Sequence, residues 1–210
     1  MTPLLSILDH LVYATPDLES TIERLEQLFG VRAAIGGQHP GWGTKNALLS
    51  LGPKVYLEIM GPDPGQPEPK QPRPFGMDTM SQPRLVTWVA RSDDIQSVIN
   101  KAKQQELDLG ELLEKSRKKP DGSVLKWTMT DLRKNRKDGT IPYFINWGDS
   151  VHPAESSPQG SRLLKLEVFH PDAKRVNEIL RNLGIDLLVG LGPVALKATI
   201  ESPKGQIVLE

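Results

Sequence analysis

The order of apolar and amphipathic segments along the chain is the feature that most constrains its fold. An apolar run at residues 8–14 predicts a strand, and residues 15–30 carry leucine and isoleucine at helical spacing. Three further apolar runs, at residues 31–35, 46–51 and 54–60, are bounded by turn formers and predict strands. The first part of the chain is therefore predicted to have the order strand, helix, strand, strand, strand.

This order recurs twice, as a pattern with few identical residues. The second copy has predicted strands at residues 85–90, 124–130 and 141–147, and a helix that begins near Asp93. The third and shorter copy has a predicted strand at residues 163–169, a helix at 172–183, and strands at 186–189, 194–200 and 206–209.

Irregular stretches between the copies predict how the chain is divided. Residues 1–64 are expected to form a first βαβββ module, and residues 84–148 a second βαβββ-like module. Residues 65–83 are rich in proline, which predicts a solvated, extended linker between the two. A loop at residues 149–161 leads to the third unit, residues 162–210, and we expect all three units to pack as one domain.

Charge balance and the lack of cysteine exclude several classes of function. The 210 residues include 26 basic and 26 acidic side chains, so no overall field favours a nucleic acid or a membrane. Without cysteine, a metal would need His, Asp, Glu, amide or water ligands. The first residues have no export signal. We therefore expect a cytoplasmic protein, a monomer or a homodimer, whose partner is a small-molecule ligand.

His10 and Glu58 are polar residues inside predicted apolar strands. Burying such groups is costly unless they find partners, so the pair is expected to face a cleft, to bind each other or to share a metal ion. Two alternatives stay open. His10 could instead bond to the backbone or to Asp9 within the core, and Glu58 could face solvent while Leu57 and Ile59 face the core.

A glycine-rich segment at residues 36–43 is predicted to be a loop, because five of its eight residues are Gly or Pro. His39 lies where the backbone could approach a ligand closely, although an ordinary turn is an equal alternative. Trp42 is flanked by glycines and is predicted to cap a ligand cavity. Thr44 and Asn46 carry groups that could orient a carboxylate or carbonyl, or could cap the turn.

Four later features have both a functional and a structural interpretation. Trp147 is predicted to lie in the core or in the wall of a cleft. His152 precedes a proline and could reach the cleft or form a turn. Basic residues at 115–119 and 133–137 are expected on a solvated loop or an edge strand, with contact to an anionic substrate as the alternative.

Several segments of the chain resemble the vicinal oxygen chelate superfamily, and within it the glyoxalase-like domain proteins. The resemblance is carried by residues 8–14 (LDHLVYA), 36–51 and 56–63 (YLEIMGPD), and further along by residues 141–149 with His152. It is dense over residues 8 to 64, sparser to about residue 155, and limited to topology beyond that point.

This resemblance implies an α+β fold of repeated βαβββ modules with curved mixed sheets around a central cleft. His10 and Glu58 match the first-strand and last-strand metal ligands of the superfamily, which implies one divalent metal ion that binds substrate oxygens. The implied activity is that of a lyase or isomerase acting on a small oxygen-rich metabolite, with Glu58 or His39 moving a proton. The side chains expected to contact the substrate are Trp42, Thr44, Asn46, Trp147 and His152.

The second module departs from the superfamily pattern. Val86 stands opposite His10, and Ile145 or Asn146 stands opposite Glu58, so neither metal ligand is repeated. A four-ligand site of the glyoxalase I type, and the lactoylglutathione lyase reaction that depends on it, do not match this sequence. The alternative function is a non-catalytic small-molecule binding module with a degenerate site.

Overall fold

A computed structural model describes residues 2–118, 122, 124–134 and 138–210 of the chain. Short helices alternate with strands along it. The first elements are β1 (Thr2–Pro3), α1 (Leu4–Ile7), β2 (Leu8–Ala14), α2 (Leu18–Phe29), β3 (Ala34–His39), β4 (Thr44–Ser50), β5 (Tyr56–Pro62) and a 3-10 helix (Pro74–Thr79). The next are β6 (Arg84–Arg91), α3 (Ile95–Lys103), β7 (Leu112–Lys118), β8 (Val124–Thr130), β9 (Tyr143–Asn146) and α4 (Pro153–Ser156). The last are β10 (Arg162–His170), α5 (Ala173–Asn182), β11 (Ile185–Asp186), β12 (Gly190–Leu191), β13 (Ala195–Ser202) and β14 (Gly205–Leu209).

The first two modules share one eight-stranded sheet, with the order β3-β4-β5-β2-β6-β9-β8-β7. In each module the first and last strands are parallel neighbours, β2 with β5 and β6 with β9. The modules join where β2 and β6 pair in antiparallel fashion. The predicted α+β fold of repeated modules with curved mixed sheets is confirmed.

The third unit forms a sheet of its own, with the order β12-β10-β13-β14. It therefore neither extends the eight-stranded sheet nor replaces the second module in pairing with the first. The assignment of residues 1–64, 84–148 and 162–210 to modules of one domain stays a prediction. Among the described helices, none combines the length and the apolar character needed to span a membrane.

Strand alternation gives the large sheet two different faces. On β5, Leu57 and Ile59 point into the main core, whereas Tyr56, Glu58 and Met60 point to the opposite face. The main core also takes in the apolar faces of α2, α3 and α5 and the inner side of the second sheet. Because helices and the third unit cover one face, the other face is left to line a cavity.

Two segments are more ordered than the sequence predicted. Residues 36–39 are not a loop but belong to β3, because an edge strand tolerates glycine and only residues 40–43 form the turn. The Pro-rich stretch is not fully solvated, because Met77 and Met80 are buried in an apolar cluster on the cavity side of the sheet. This stretch therefore packs onto the sheet.

Helix α2 begins at Leu18, three residues after the start of the predicted helical segment at residues 15–30. Its N-cap is Asp17, whose carboxylate accepts the backbone N–H of Ser20, and Gly30 ends the helix in a left-handed conformation. The hydroxyl of Thr15 instead accepts the backbone N–H of Asp17.

Part of the predicted basic segments, residues 119 and 135–137, lies outside the described residues, and the rest of residues 115–119 forms the predicted edge strand β7.

Substitution of Trp88 tests how tightly the main core is packed. Its side chain is fully buried in the main core, and its indole N–H donates to the carbonyl of Thr140 at 3.0 Å. We expect Trp88→Phe to lower the free energy of unfolding by about 1–3 kcal/mol, because it leaves a small cavity and an unpaired carbonyl. Urea unfolding measures this change. Trp42→Phe, at a half-buried turn, is the control, and an equal loss in both variants would contradict the account.

Candidate functional site

A cavity of about 220 Å³ lies on the free face of the eight-stranded sheet. Strands of both modules contribute to it. The first module supplies most of its polar side chains, including His10, His39, Asn46 and Glu58, while Val89, Met129 and Ile145 of the second module give it an apolar side. One half of the cavity can therefore do chemistry and the other can hold an apolar part of a ligand.

The carboxylate of Glu58 lies at the centre of the polar side. Oε1 accepts a hydrogen bond from Nδ2 of Asn46 at 2.6 Å and lies 3.7 Å from Nε2 of His39. Oε2 lies 3.6 Å from Nε2 of His10. Glu58 is 7% exposed, so these protein groups, and not solvent, make up most of the surroundings of its carboxylate. The parallel register of β2 and β5 explains the geometry, because it places His10 opposite Tyr56 and Val12 opposite Glu58, so that His10 lies two residues from the Glu58 pair on the same face of the sheet.

Hydrogen bonds determine the tautomer of His39. The backbone N–H of Gly37 donates to Oδ1 of Asn46, so the Nδ2 group of Asn46 must face the other way, towards Glu58 and His39. His39 Nε2 is then an acceptor at 3.3 Å, and its Nδ1–H donates to the hydroxyl of Thr44 at 3.0 Å. Burial lowers the pKa of His39 against the opposing effect of Glu58, which agrees with a neutral imidazole.

His10 is oriented by its neighbour in sequence. The register between β2 and β6 shifts between Leu8 and His10, which makes Asp9 the extra residue of a β-bulge. Such bulges re-aim side chains, and here the Asp9 carboxylate lies 2.7 Å from Nδ1 of His10. An ionised carboxylate accepts the Nδ1 proton, and the ring is thereby oriented with Nε2 towards Oε2 of Glu58.

Asp9 is a fully buried carboxylate with several donors around it. Oδ2 lies 3.1 Å from Nε2 of His152 and accepts the indole N–H of Trp147 at 3.1 Å. Burial by itself would raise the pKa of Asp9, but hydrogen bonds and charge interactions with His10 and His152 outweigh it and lower the pKa to about 2. Asp9 is therefore ionised at neutral pH, and its hydrogen bonds orient the rings of His10 and His152.

Tyr56 is the remaining polar ring of this cluster. It stacks on His10 with ring centroids 4.5 Å apart, and its edge faces His152. Burial raises the pKa of its phenol well above the ordinary value, and the negative charges of Asp9 and Glu58 act in the same direction. The phenol therefore stays protonated and can donate a hydrogen bond to a ligand in the cavity.

The donor atoms around Glu58 do not fit a metal site. Among the residues that the structure describes, no three His, Asp or Glu side chains are grouped so that they could hold a metal ion. The Asn46 amide also donates to Glu58 and His39, which uses lone pairs that a metal would need. The predicted metal role of His10 and Glu58 stays a prediction, and no step proposed below depends on it.

The predicted site residues gather in one place, although their roles stay predictions. His10, His39, Trp42, Thr44, Asn46, Glu58 and Trp147 all line the cavity. His152 does not line it but bonds to Asp9 behind His10. Both interpretations of His10 hold at once, since it bonds to Asp9 and also faces the cavity. The alternative for Glu58 was that it faces solvent while Leu57 and Ile59 face the core. Leu57 and Ile59 do face the core, but the opposite face, where Glu58 lies, is a cavity wall.

Sequence reasoning missed three residues of the site, Asp9, Tyr56 and Arg117. Asp9 and Tyr56 were inside the resembling segments, and their position next to His10 and Glu58 is the signal that could have drawn attention to them. Arg117 belongs to the basic run at residues 115–119, for which a solvated loop or edge strand is the predicted role and contact with an anionic substrate only the alternative. Its arrival in the cavity depends on how two distant sheet edges meet, for which the sequence carries no local signal.

The buried charge of Asp9 predicts a specific pH dependence of stability. The pKa of Asp9 is lower in the folded chain than its ordinary value of 3.8, so the unfolded chain binds more protons between about pH 4 and pH 2. The stabilisation is therefore complete above about pH 4 and is lost as the pH falls towards 2. We expect Asp9→Asn to lower the free energy of unfolding by about 2–3 kcal/mol at pH 7 and to flatten this acid dependence.

Urea unfolding at pH 7 and at pH 3 measures both effects. Asp149→Asn, which changes an exposed carboxylate, is the control and should behave as the wild type. An Asp9→Asn variant as stable as the wild type at pH 7 would contradict the role assigned to this carboxylate.

The fold is similar to that of several solved structures. A hypothetical protein from Staphylococcus aureus matches with a TM-score of 0.62 and 15% identity, covering 96% of this chain and 83% of that one. Methylmalonyl-CoA epimerase from Mycobacterium tuberculosis has a TM-score of 0.43 and 19% identity over 69% of this chain and 89% of its own. The Streptomyces coelicolor epimerase has a TM-score of 0.46 and 15% identity over 70% and 98%. The likeness to the Staphylococcus aureus protein, at 15% identity, concerns the fold alone.

The family comparison covers most of the chain. Among curated proteins, no sequence match is significant. The model of the family described as "Glyoxalase-like domain" matches residues 8–184, well over half of the 210 residues. The resemblance noted in the sequence is thereby confirmed, and the chain belongs to the glyoxalase-like domain family.

Proposed function

We propose that this protein is an enzyme of isomerase or lyase type that moves a proton on a small oxygen-bearing metabolite, with Glu58 as the base. The observation that carries the proposal is the position of Glu58. It is a nearly buried carboxylate at a cavity wall, close to two imidazole Nε2 atoms and bonded to one amide. A carboxylate held in this way is suited to general acid–base catalysis.

The two oxygens of Glu58 have different tasks. Oε1 is held by the Asn46 amide, so Oε2 is the atom available to a substrate. In the proposed step Oε2 takes a proton from the carbon next to a carbonyl, the C–H electron pair forms a C=C bond, and the π pair of the carbonyl moves onto its oxygen. The electron pair on oxygen then re-forms the carbonyl as the same carbon regains a proton from the Glu58 carboxyl group, and the Glu58 carboxylate is regenerated. His10 and His39 present basic nitrogens near the carboxylate and can take up or return that proton.

The enolate oxygen needs a hydrogen-bond donor. The phenol of Tyr56 stays protonated because burial raises its pKa, and it lines the same cavity. A donor already in place where negative charge develops can contribute a large part of a rate enhancement. Trp42, Thr44 and Trp147 keep their predicted roles as substrate contacts, while His152 acts through Asp9.

A binding module without turnover is the second candidate. The observation in its favour is the apolar second half of the cavity, where Val89 and Ile145 offer no polar group to a ligand. Such a cavity could bind a metabolite tightly and leave it unchanged. Proton exchange separates the two functions, because a binding module does not exchange the ligand's C–H protons with solvent.

The test is incorporation of deuterium from heavy water into a panel of small 2-oxo and 3-oxo acids, followed by proton NMR. We expect the wild type to accelerate exchange at the carbon next to the carbonyl for at least one of them. Glu58→Gln keeps the size of the side chain and its contact with Asn46, but it cannot act as a base. We expect it to slow the exchange by about 100-fold to 10,000-fold.

Glu155→Gln changes an exposed carboxylate on α4 and serves as the matched control, with exchange expected at the wild-type rate. Two results would contradict the proposal. One is a Glu58→Gln variant that exchanges as fast as the wild type, and the other is a wild type that accelerates exchange in none of these acids.

A further inference from the structure

Arg117 is a cavity residue that the proposed chemistry does not use. It lies on β7, the edge strand at the far end of the eight-stranded sheet from β3, and it lines the cavity. Its Nη1 atom is buried and has no hydrogen-bond partner among the described residues. Since buried donors on charged groups are costly to leave unpaired, this atom is a strong candidate for contact with a ligand.

Two glycines of β3 make room for this guanidinium where the two sheet edges approach each other. A Cβ atom at Gly37 would lie 2.7 Å from Nη1 and 2.9 Å from Cδ of Arg117, and one at Gly36 would lie 3.0 Å from Nη1. A side chain at Gly37 would push Arg117 away, and one at Gly36 would collide with Oδ1 of Asn46 as well as with Arg117. The glycine pair thus has a physical role, which is to let Arg117 lie against β3 at the cavity wall.

A second cation accompanies Arg117. Lys115 lies two residues earlier on the same face of β7 and also lines the cavity, with Nζ 5.6 Å from the centre of the Trp42 ring. Among the described residues, neither Lys115 nor Arg117 has an ion pair with a carboxylate. The second module therefore brings uncompensated positive charge to a cavity that is otherwise apolar on that side.

The charge of Arg117 acts on the polar cluster of the first module. It lowers the pKa of His39, in the same direction as burial, and it opposes the rise in the pKa of Tyr56. The cavity thus holds the Arg117 cation and the Glu58 carboxylate, without an ion pair of 4 Å or less between them. A ligand that spans the two would need an anionic group near Arg117 and a proton donor near Glu58.

From this arrangement we infer that the ligand is a small organic anion whose carboxylate or phosphate binds Arg117, with Lys115 as a second positive group. The inference rests on the proposed function for the placement of the reacting carbon near Glu58, but the anion contact itself does not. A planar guanidinium can bind either anion through two parallel hydrogen bonds, so the shared chemistry is that of an oxyanion. The cavity, about 220 Å³ in volume, is large enough for a small metabolite.

Calorimetric titration with malonate, inorganic phosphate and the neutral malonamide tests the inference. We expect at least one of the two anions to bind the wild type at millimolar concentration or below, and malonamide to bind at least tenfold more weakly. Arg117→Met keeps the length of the side chain and removes the charge. It should weaken binding of the anion by about 10-fold to 100-fold, which corresponds to the loss of a charge-assisted hydrogen bond.

Arg162→Ala removes an exposed arginine on the second sheet and is the matched control, with binding expected at the wild-type level. Arg117→Lys should recover part of the affinity, because it restores the charge without the fork geometry. Circular dichroism and urea unfolding establish that each variant is folded. The inference is overturned if neither anion binds the wild type, if malonamide binds as well as malonate, or if folded Arg117→Met binds the anion with wild-type affinity.

Glu58→Gln separates this inference from the proposed function. Removing the negative charge of Glu58 should leave binding of the anion intact or tighten it, even though exchange is lost. If the wild type binds malonate through Arg117 but accelerates no proton exchange, the proposed function fails and the anion site stands. If exchange depends on Glu58 but malonate binding does not depend on Arg117, the anion site fails and the proposed function stands.

Discussion

The pairing of β2 with both β5 and β6 is the constraint on which the rest of the structure depends. Through it, the first strands of two modules become neighbours at the centre of one sheet. The free faces of both modules then line a single cavity. The same pairing contains the bulge at Asp9, so the contact that joins the modules also orients His10. Fold and site share one set of backbone hydrogen bonds.

The site is built around two carboxylates with different surroundings. Asp9 is fully buried behind the cavity, and its hydrogen bonds keep its pKa low, so it serves as a fixed anion. Glu58 faces the cavity and lies within 4 Å of the Nε2 atoms of His10 and His39. Different environments give similar groups different roles, which is a common way for proteins to separate a supporting carboxylate from a reactive one.

The two modules have diverged in chemistry while keeping their topology. The first supplies imidazole, amide, carboxylate and phenol groups to the cavity. The second supplies apolar side chains from β6, β8 and β9, together with Lys115 and Arg117 from β7. This asymmetry removes the symmetric ligand set that the resemblance implies for metalloenzymes. It is consistent with a cavity that binds an oriented substrate, with the anion on one side and the reacting carbon on the other.

Much of this could be predicted from local pattern. The alternation at residues 56–60 placed Glu58 opposite Leu57 and Ile59, because side chains of a strand alternate between faces. The bulge at Asp9, the contact of Arg117 with the glycines of β3 and the separate third sheet could not be predicted. Each depends on how strands distant in sequence pair or meet, and one residue of register changes which side chain reaches the cavity.

A crystal structure of the protein with malonate tests the central claim most directly, because it locates an anion and an acidic carbon in the same map. The account predicts one carboxylate on the guanidinium of Arg117 and the methylene carbon towards Oε2 of Glu58, with Asp9 still bonded to His10. Malonate bound away from Arg117, or bound to Arg117 with its methylene carbon out of reach of Glu58, would contradict it.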